Sequence, residues 1–207
     1  MRVRVALLAA AYAALAGLVA AGSATRVDQW GVDHAMPGAQ FRSTTQRFVE
    51  AVVPLLHASY HPFVHGLAVI WTVPAASVPS LVLCGAVWIV LWRRGRRRAA
   101  VAWAAAWVAG TGIEVLTKEL LTRPALHAHG LHVVGFDASY PSGHTIRAVL
   151  LAATVIAAWP AARVWAIAWA AVAVALTELA GLHTPTDIAG GLILAWLLIE
   201  LARNYSD

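Results

Sequence analysis

Long apolar stretches alternate with short polar segments along this 207-residue chain. An α-helix needs about 20 apolar residues to cross the hydrocarbon core of a bilayer, so each long stretch predicts a transmembrane helix. The stretches cover approximately residues 5–21, 67–92, 99–118, 142–159, 163–180 and 186–203. The second contains Pro74 and Pro79, and we expect its main helix to begin near Pro79 after an interfacial or kinked segment. The pattern therefore predicts an all-α bundle of six transmembrane helices.

A polar segment at residues 25–62 lies between the first two stretches. Its residues Phe48, Val49, Val52 and Val53 share one helical face behind a Ser/Thr cap, which predicts a short outer helix at the membrane surface. Residues 1–24 have a second interpretation besides a first span. A basic start, an apolar centre and the small residues Gly22-Ser23-Ala24 are also typical of a cleaved signal peptide. The chain is expected to form a single membrane domain over residues 1–207, in which residues 1–24 are either the first span or a signal peptide that is removed.

Composition and charge support a membrane location. Hydrophobic residues make up 60% of the chain and charged residues 12%, against about 25% charged in an average soluble domain. By the positive-inside rule, the side of the bundle that holds most Lys and Arg is cytoplasmic, and both termini lie there. The basic excess therefore reflects topology, and no nucleic-acid partner is expected. Nine of the 15 Lys and Arg lie on that side: Arg2, Arg4, Arg93, Arg94, Arg96, Arg97, Arg98, Arg163 and Arg203.

Three short segments at the predicted outer helix ends carry ionisable groups of complementary type. Their sequences are KELLTRP at residues 118–124, PSGH at 141–144 and HTPTD at 183–187. Lys118 and Arg123 are suited to a dianion, because an ammonium group and a planar guanidinium both bind phosphate oxygens. Ser142 and Gly143 open a helix, where backbone N–H groups and the positive helix end favour an anion.

His183 and Asp187 lie four residues apart across a turn that contains Pro185. In this arrangement the carboxylate accepts a hydrogen bond from one ring nitrogen and leaves the other as a nucleophile. The three segments together predict a phosphoryl-transfer site at the level of the lipid headgroups. Taken singly, each has a structural alternative: interfacial snorkelling for Lys118 and Arg123, and helix or loop capping for the other two segments.

The segments resemble the motifs of the type-2 phosphatidic acid phosphatase and haloperoxidase superfamily, in its integral-membrane lipid phosphatase branch. The resemblance covers residues 99–203, the predicted catalytic core spans. Its specific parts are the Pro-Ser-Gly-His segment and the His-x-x-x-Asp segment followed by Gly190-Gly191. It implies hydrolysis of a lipid phosphate in the bilayer with no metal and no cofactor.

The same resemblance implies a role for each site residue. His183 would attack phosphorus and Asp187 would orient it, while His144 would protonate the leaving alcohol. The phosphate oxygens would be held by Lys118, Arg123 and Ser142.

Two positions depart from the family pattern. The family usually continues with a second Arg-Pro after Arg123-Pro124, where this chain has Ala125-Leu126. The family also has a Ser-Arg pair before its nucleophilic histidine, where this chain has Leu176 and Thr177. Two phosphate-binding cations of the family are therefore missing.

Arg147 is the candidate replacement for a missing arginine. A charge inside an apolar span is costly unless it is paired. At about 1.5 Å per residue, Arg147, Glu114 and Glu178 lie at one depth beneath the site. One interpretation is a structural ion pair with either glutamate that aligns the helices. The other is a phosphate ligand, because helical side chains lean toward the N-terminus and so toward Ser142.

The segment His127-Ala-His129-Gly-Leu-His132 places three imidazoles within six residues. Such a group is a candidate zinc or copper site, but Asp137 is the nearest carboxylate, which favours a structural or substrate-contacting loop. The functional alternatives to a phosphatase are non-catalytic: a phosphatase-fold protein that binds a lipid phosphate, or a transporter. The sequence does not indicate the oligomeric state. The candidate lipids are a phosphatidic acid-like lipid, phosphatidylglycerophosphate, and a polyprenyl phosphate or diphosphate.

Overall fold

The fold is described by a computed structural model that covers residues 2–36, 70–128 and 130–206. The surface helix predicted around residues 43–53 and the beginning of the second apolar stretch lie outside the described residues. The same holds for Arg42, Arg47, His57, His61, His65 and His129.

Each of the six apolar stretches contains one long helix. They are α1 (Arg2–Ala20), α3 (Ser77–Arg93), α4 (Arg97–Leu120), α5 (Gly143–Ala158), α6 (Arg163–Leu179) and α7 (Pro185–Ser206). The all-α fold class is therefore confirmed. Among the described residues, four helices are long and apolar enough to cross a membrane, whereas α3 and α5 are apolar but shorter. The number of six transmembrane spans therefore remains a prediction, because it requires that α3 and α5 also cross the membrane.

The segment before α3 has the kink that its prolines predict. Residues Val73–Ala75 form a 3-10 turn, and α3 begins at Ser77, two residues before Pro79. Proline is tolerated in the first turn of a helix because the N–H that it lacks has no intrahelical partner there. Pro79 therefore lies inside the first turn of α3.

Helix α5 lies at the centre of the bundle and packs against α3, α4, α6 and α7, while α1 packs on α7. The core around it contains the fully buried residues Leu91, Ile146, Leu150, Leu194 and Ala195. Small residues on α4 allow close approach: a Cβ added at Gly110 would lie 3.0 Å from both Ile146 and Leu198. Membrane helices pack largely through such small-residue contacts. Lipid tails are as apolar as the helix surfaces, so the hydrophobic effect does not drive the helices together.

The two ends of α5 differ in character. At its C-terminal end the arginine-rich turn caps the helix, because Arg94 donates to the carbonyl of Ala158 at 2.8 Å and Arg96 donates to that of Ala157 at 2.5 Å. Its N-terminal end, about 24 Å away at 1.5 Å per residue, begins after the Pro-Ser-Gly-His segment. The basic loop and the candidate site therefore lie at opposite ends of the bundle.

A small outer layer covers the site end of the helices. It consists of α2 (Thr25–His34) and a hairpin of two short antiparallel strands, β1 (His127–Ala128) and β2 (Leu131–His132). These elements enclose a cluster of apolar side chains: Val32, Met36, Leu126, Ala128, Val133 and Phe136. Helix α2 was not predicted from the sequence; its residues Asp28, Gly31 and Val32 are buried, whereas Val27 and Trp30 are exposed.

Candidate active site

The segments that contain His144 and His183 are joined through their backbones at the start of α5 and α7. Ser142 is the N-cap of α5, where its Oγ accepts a hydrogen bond from the Thr145 N–H at 3.2 Å. The Ser142 N–H donates to the carbonyl oxygen of Asp187 at 2.9 Å. A Cβ at Gly191 would lie 2.9 Å from the Ser142 carbonyl oxygen, so glycine permits this close contact. The two helix starts therefore form one rigid unit.

Asp187 is fully buried and has polar partners on both carboxylate oxygens. Oδ2 accepts from the Ser139 hydroxyl at 2.6 Å and from the Thr184 N–H at 3.0 Å, and it lies 3.4 Å from Nδ1 of His183. Oδ1 accepts from Arg123 at 2.5 Å. This arrangement holds the carboxylate against Nδ1 and makes Nε2 the ring nitrogen remote from Asp187. It is the orientation that the sequence predicts for a histidine nucleophile.

The imidazoles of His144 and His183 face one another. Their ring centroids are 6.1 Å apart, and the ring planes are inclined by 56°. His144 lies in the first turn of α5, and His183 lies in the loop before α7. The fold thus brings together two histidines that are 39 positions apart in sequence, as numbered in the chain.

Arg123 is buried among carboxylates and hydroxyls. Its guanidinium donates to Asp28 Oδ2 at 3.0 Å, to Asp187 Oδ1, and to the hydroxyls of Thr184 at 2.8 Å and Thr186 at 3.3 Å. Its Nε has no hydrogen-bond partner among the described residues. In the structure, then, the terminal nitrogens of Arg123 contact protein groups. Its predicted role in phosphate binding stays a prediction.

Lys118 and Arg147 share one carboxylate. Lys118 Nζ lies 2.7 Å from Oε1 of Glu114, and Arg147 donates to Oε2 of Glu114 at 2.5 Å and to the Ala75 carbonyl at 2.9 Å. Of the two glutamates considered for Arg147, its ion-pair partner is therefore Glu114. A Cβ built at Gly143 would overlap the Glu114 carboxylate, so this carboxylate lies directly against the start of α5. Lys118 is partly exposed, whereas Arg147 is buried.

Several residues of the site were not predicted from the sequence. Asp28, Ser139, Thr184 and Thr186 complete the hydrogen bonds around Arg123 and Asp187. Thr184 and Thr186 lie within the predicted segment, on either side of Pro185, so their hydroxyl groups could have been recognised as candidate site residues from the sequence. Asp28 lies 95 positions before Arg123, and no local pattern connects them.

The histidine-rich segment forms the hairpin of the outer layer. His127 and His132 are opposite each other in the strand register, with ring centroids 5.8 Å apart, and His132 Nε2 lies 2.8 Å from Oδ1 of Asp137. Within residues 2–36, 70–128 and 130–206, no group of three potential metal ligands is found. Because His129 lies outside those residues, the question of a metal at this segment stays open to test.

Comparisons with known proteins give a family-model match and a similar fold. No curated protein sequence matches the chain. The family model of the PAP2 superfamily matches residues 117–207, which include Lys118, Arg123 and all residues of the two histidine segments. The chain is also similar to the crystal structure of a transmembrane PAP2-type phosphatidylglycerolphosphate phosphatase from Bacillus subtilis. The TM-score is 0.66 at 16% sequence identity, over 98% of this chain and 95% of that chain.

At that level of identity the structural similarity establishes a shared fold, and the family model locates the shared motifs. The PAP2 superfamily model therefore matches the part of the chain that carries His144, His183 and Asp187, and the chain has the fold of a transmembrane PAP2 protein.

Proposed function

We propose that this protein is a membrane phosphatase that hydrolyses a phosphate monoester or diphosphate of a lipid. The observation that carries the proposal is the His183–Asp187 pair, which is held rigidly opposite His144 at the N-terminus of α5. A histidine oriented by a buried carboxylate is a suitable nucleophile, and a second histidine facing it is a suitable proton donor.

In the first step, Nε2 of His183 attacks phosphorus and the bond from phosphorus to the alcohol or phosphate leaving group breaks. His144 donates a proton to the departing oxygen. Asp187 stabilises the positive charge that develops on the His183 ring, since its Oδ2 faces Nδ1. Attack and departure on opposite sides of phosphorus agree with two histidines that face each other, as in-line phosphoryl transfer requires.

In the second step, water attacks the phosphohistidine. His144, now neutral, accepts a proton from that water, and the bond between phosphorus and Nε2 breaks to release inorganic phosphate. His183 and His144 return to their starting protonation states. Each histidine thus acts once in each half of the cycle.

Three groups are suited to hold the phosphate oxygens. Lys118 provides a partly exposed ammonium group, Ser142 provides a hydroxyl, and the backbone at Gly143 belongs to the positive end of α5. Arg123 and Arg147 are the remaining predicted ligands. Both guanidinium groups already contact carboxylates, so each would bind a phosphate oxygen beside such a contact or in exchange for it.

An amphiphilic substrate is proposed because the site lies at one end of an apolar helical bundle, which is where the lipid headgroups would be if the helices span the bilayer. The similar fold of a phosphatidylglycerolphosphate phosphatase makes phosphatidylglycerophosphate one candidate. Phosphatidic acid-like lipids and polyprenyl phosphates or diphosphates are the others. The proposed orientation puts the site on the outer face and both termini in the cytoplasm, with the arginine-rich turn at the cytoplasmic end.

The test is phosphate release from these lipids by detergent-purified protein in the presence of a chelator. We expect wild-type protein to release phosphate from at least one of them, and His183→Ala to release none. His34→Ala is the matched control, because this exposed histidine contacts the Trp30 carbonyl on its own helix and belongs to none of the three predicted site segments. Absence of release from every lipid would contradict the proposal and favour a protein that binds a lipid phosphate without hydrolysing it. Release that requires an added metal would contradict the metal-independent mechanism.

A further inference from the structure

Helix α2 contributes a buried carboxylate, that of Asp28, to the base of the site. This helix lies outside residues 117–207, which the PAP2 family model matches. Asp28 is 1% exposed. Its Oδ1 accepts from the Thr186 N–H at 3.0 Å, and its Oδ2 accepts from the Thr186 hydroxyl at 2.7 Å and from Arg123 at 3.0 Å. Both oxygens act as acceptors, as in an ionised carboxylate. Asp28 therefore connects α2 to Arg123 and to the first turn of α7.

Two close contacts fix the position of α2 relative to the site. A Cβ at Gly31 would lie 2.6 Å from Cγ of Pro185, which precedes Thr186. A Cβ at Gly22, where φ is +73°, would lie 2.8 Å from Cγ of Pro124, which follows Arg123. Glycine at both positions lets the chain before and within α2 approach the prolines closely. The contacts hold Asp28 at a defined distance from both predicted motifs.

The side chains form a continuous series of charged contacts from α2 to the proposed nucleophile. Asp28 contacts Arg123 at 3.0 Å, Arg123 contacts Asp187 at 2.5 Å, and Asp187 lies 3.4 Å from Nδ1 of His183. One guanidinium is thus shared between two buried carboxylates. Without Asp28, the whole positive charge of Arg123 would act on Asp187 and oppose a proton on His183. The His144 ring also faces the His183 ring.

We propose that Asp28 is a positioning residue for the hydrolytic reaction. By sharing Arg123, it keeps Asp187 available to His183 and so supports the imidazolium that forms during phosphoryl transfer. This inference rests on the proposed function for its kinetic consequence, but its electrostatic consequence can be measured without turnover.

Asp28→Asn is the test variant, with Asp33→Asn as its matched control. Asp33 lies on the same helix, but it is exposed and accepts a hydrogen bond from Gln29. Burial raises the pKa of the Asp28 carboxyl, while Arg123 and Thr186 lower it. In the variant, Arg123 keeps Asp187 as its counter-ion.

The first measurement is the titration of His183 by NMR in protein labelled with ¹³C at histidine Cε1, with the resonance assigned by His183→Ala. We expect the midpoint to fall by about one pH unit in Asp28→Asn, because removing a nearby negative charge disfavours the imidazolium. The midpoint should be unchanged in Asp33→Asn. The double variant Asp28→Asn with Arg123→Gln should restore it, because both charges of the pair are then absent.

The second measurement is hydrolysis of phosphatidic acid, or of another lipid phosphate that the wild type cleaves. We expect kcat to fall about tenfold in Asp28→Asn, with little change in KM. The acid limb of the pH profile should move in the same direction as the His183 midpoint. A His183 midpoint that does not move in Asp28→Asn would overturn the inference whether or not any lipid is hydrolysed.

The two proposals fail in distinguishable ways. Absence of lipid hydrolysis by wild-type protein would contradict the proposed function and leave the NMR titration as a complete test of Asp28. If Asp28→Asn does not fold, the double variant with Arg123→Gln becomes the test. Its His183 midpoint should then match that of wild type, and a shift of one unit or more would contradict the role of Asp28.

Discussion

The two histidines of the site carry different steps of the proposed reaction, so their variants should fail differently. Removal of His183 should abolish both turnover and the trapping of labelled phosphate on the protein, because no phosphohistidine forms. His144→Ala should mainly slow leaving-group departure, so its defect should be much smaller on p-nitrophenyl phosphate than on a lipid alkyl phosphate. Asp187→Asn should lie between the two. Wild-type rates in His183→Ala would show that the mechanism is wrong.

The buried pair of Arg147 and Glu114 allows the two roles of Arg147 to be separated. If Arg147 reaches a phosphate oxygen, Arg147→Lys should keep the fold but reduce lipid phosphatase activity strongly, because lysine cannot form the planar contacts of a guanidinium. Glu178→Gln, at the same predicted depth on α6, is the control and should retain most activity. Activity and thermal unfolding in detergent are the two measurements.

The same pair makes a separate prediction about stability. Removing Glu114 leaves the buried Arg147 without its counter-ion, which costs about 3–5 kcal/mol in buried pairs. Removing Arg147 should cost less, because Glu114 keeps its contact with Lys118. The double change Arg147→Met with Glu114→Met should recover much of that loss, as judged by the unfolding temperature. Full activity of this double variant on lipid phosphates would exclude Arg147 as a phosphate ligand.

Sequence and structure agree best at the residue scale where partners are close in the chain. His183 and Asp187 are one helical turn apart, and so are Glu114 and Lys118, so their spacing alone indicates their contact. The partner of Arg123 from α2 was not predicted, because Asp28 is distant in sequence and no local rule relates the two positions. Long-range ion pairs of this kind depend on how helices dock.

At the scale of elements, apolar runs determined the helix positions well. The predicted stretches at 99–118 and 186–203 correspond to α4 at Arg97–Leu120 and α7 at Pro185–Ser206. Helix α2 was missed for a physical reason. Its buried residues are Asp28, Gly31 and Val32, whereas Val27 and Trp30 are exposed, so its apolar residues do not mark the buried face.

The contact between α4 and the start of α5 predicts a strong effect of one added methyl group. Gly143→Ala should displace the Glu114 carboxylate from its contacts with Lys118 and Arg147, because the new Cβ would overlap it. We expect a lower unfolding temperature and a large loss of lipid phosphatase activity. Both follow from disruption of the ion pairs at the helix start.

Gly112→Ala is the control for this prediction. Gly112 lies on the same helix as Glu114, and a Cβ there would meet nothing within 4 Å. This variant should be neutral or more stable by up to about 1 kcal/mol, because alanine favours a helix over glycine. If Gly143→Ala behaves like Gly112→Ala in both measurements, the packing of Glu114 against α5 does not matter for function.

At the scale of the whole molecule, α5 separates two chemically distinct ends. Its C-terminal carbonyls accept hydrogen bonds from Arg94 and Arg96, and its N-terminus forms part of the candidate site. The sequence could predict this separation because arginines cluster in one connection and histidines at the other helix ends. It could not indicate that the outer layer of α2 and the hairpin covers the site, since that layer has few apolar residues in each segment.

The separation leads to a prediction about orientation in the membrane. Cysteine introduced at Arg96 should be cytoplasmic, and cysteine introduced at Asp137 should face outward, because the positive-inside rule assigns the arginine-rich turn to the cytoplasm. The background would be Cys84→Ala, which removes the only native thiol in the sequence. An impermeant thiol reagent applied to intact cells should label position 137 but not position 96. After permeabilisation both positions should be labelled, which controls for access of the reagent. Labelling of position 96 alone in intact cells would show the opposite orientation, with the proposed site at the cytoplasmic face.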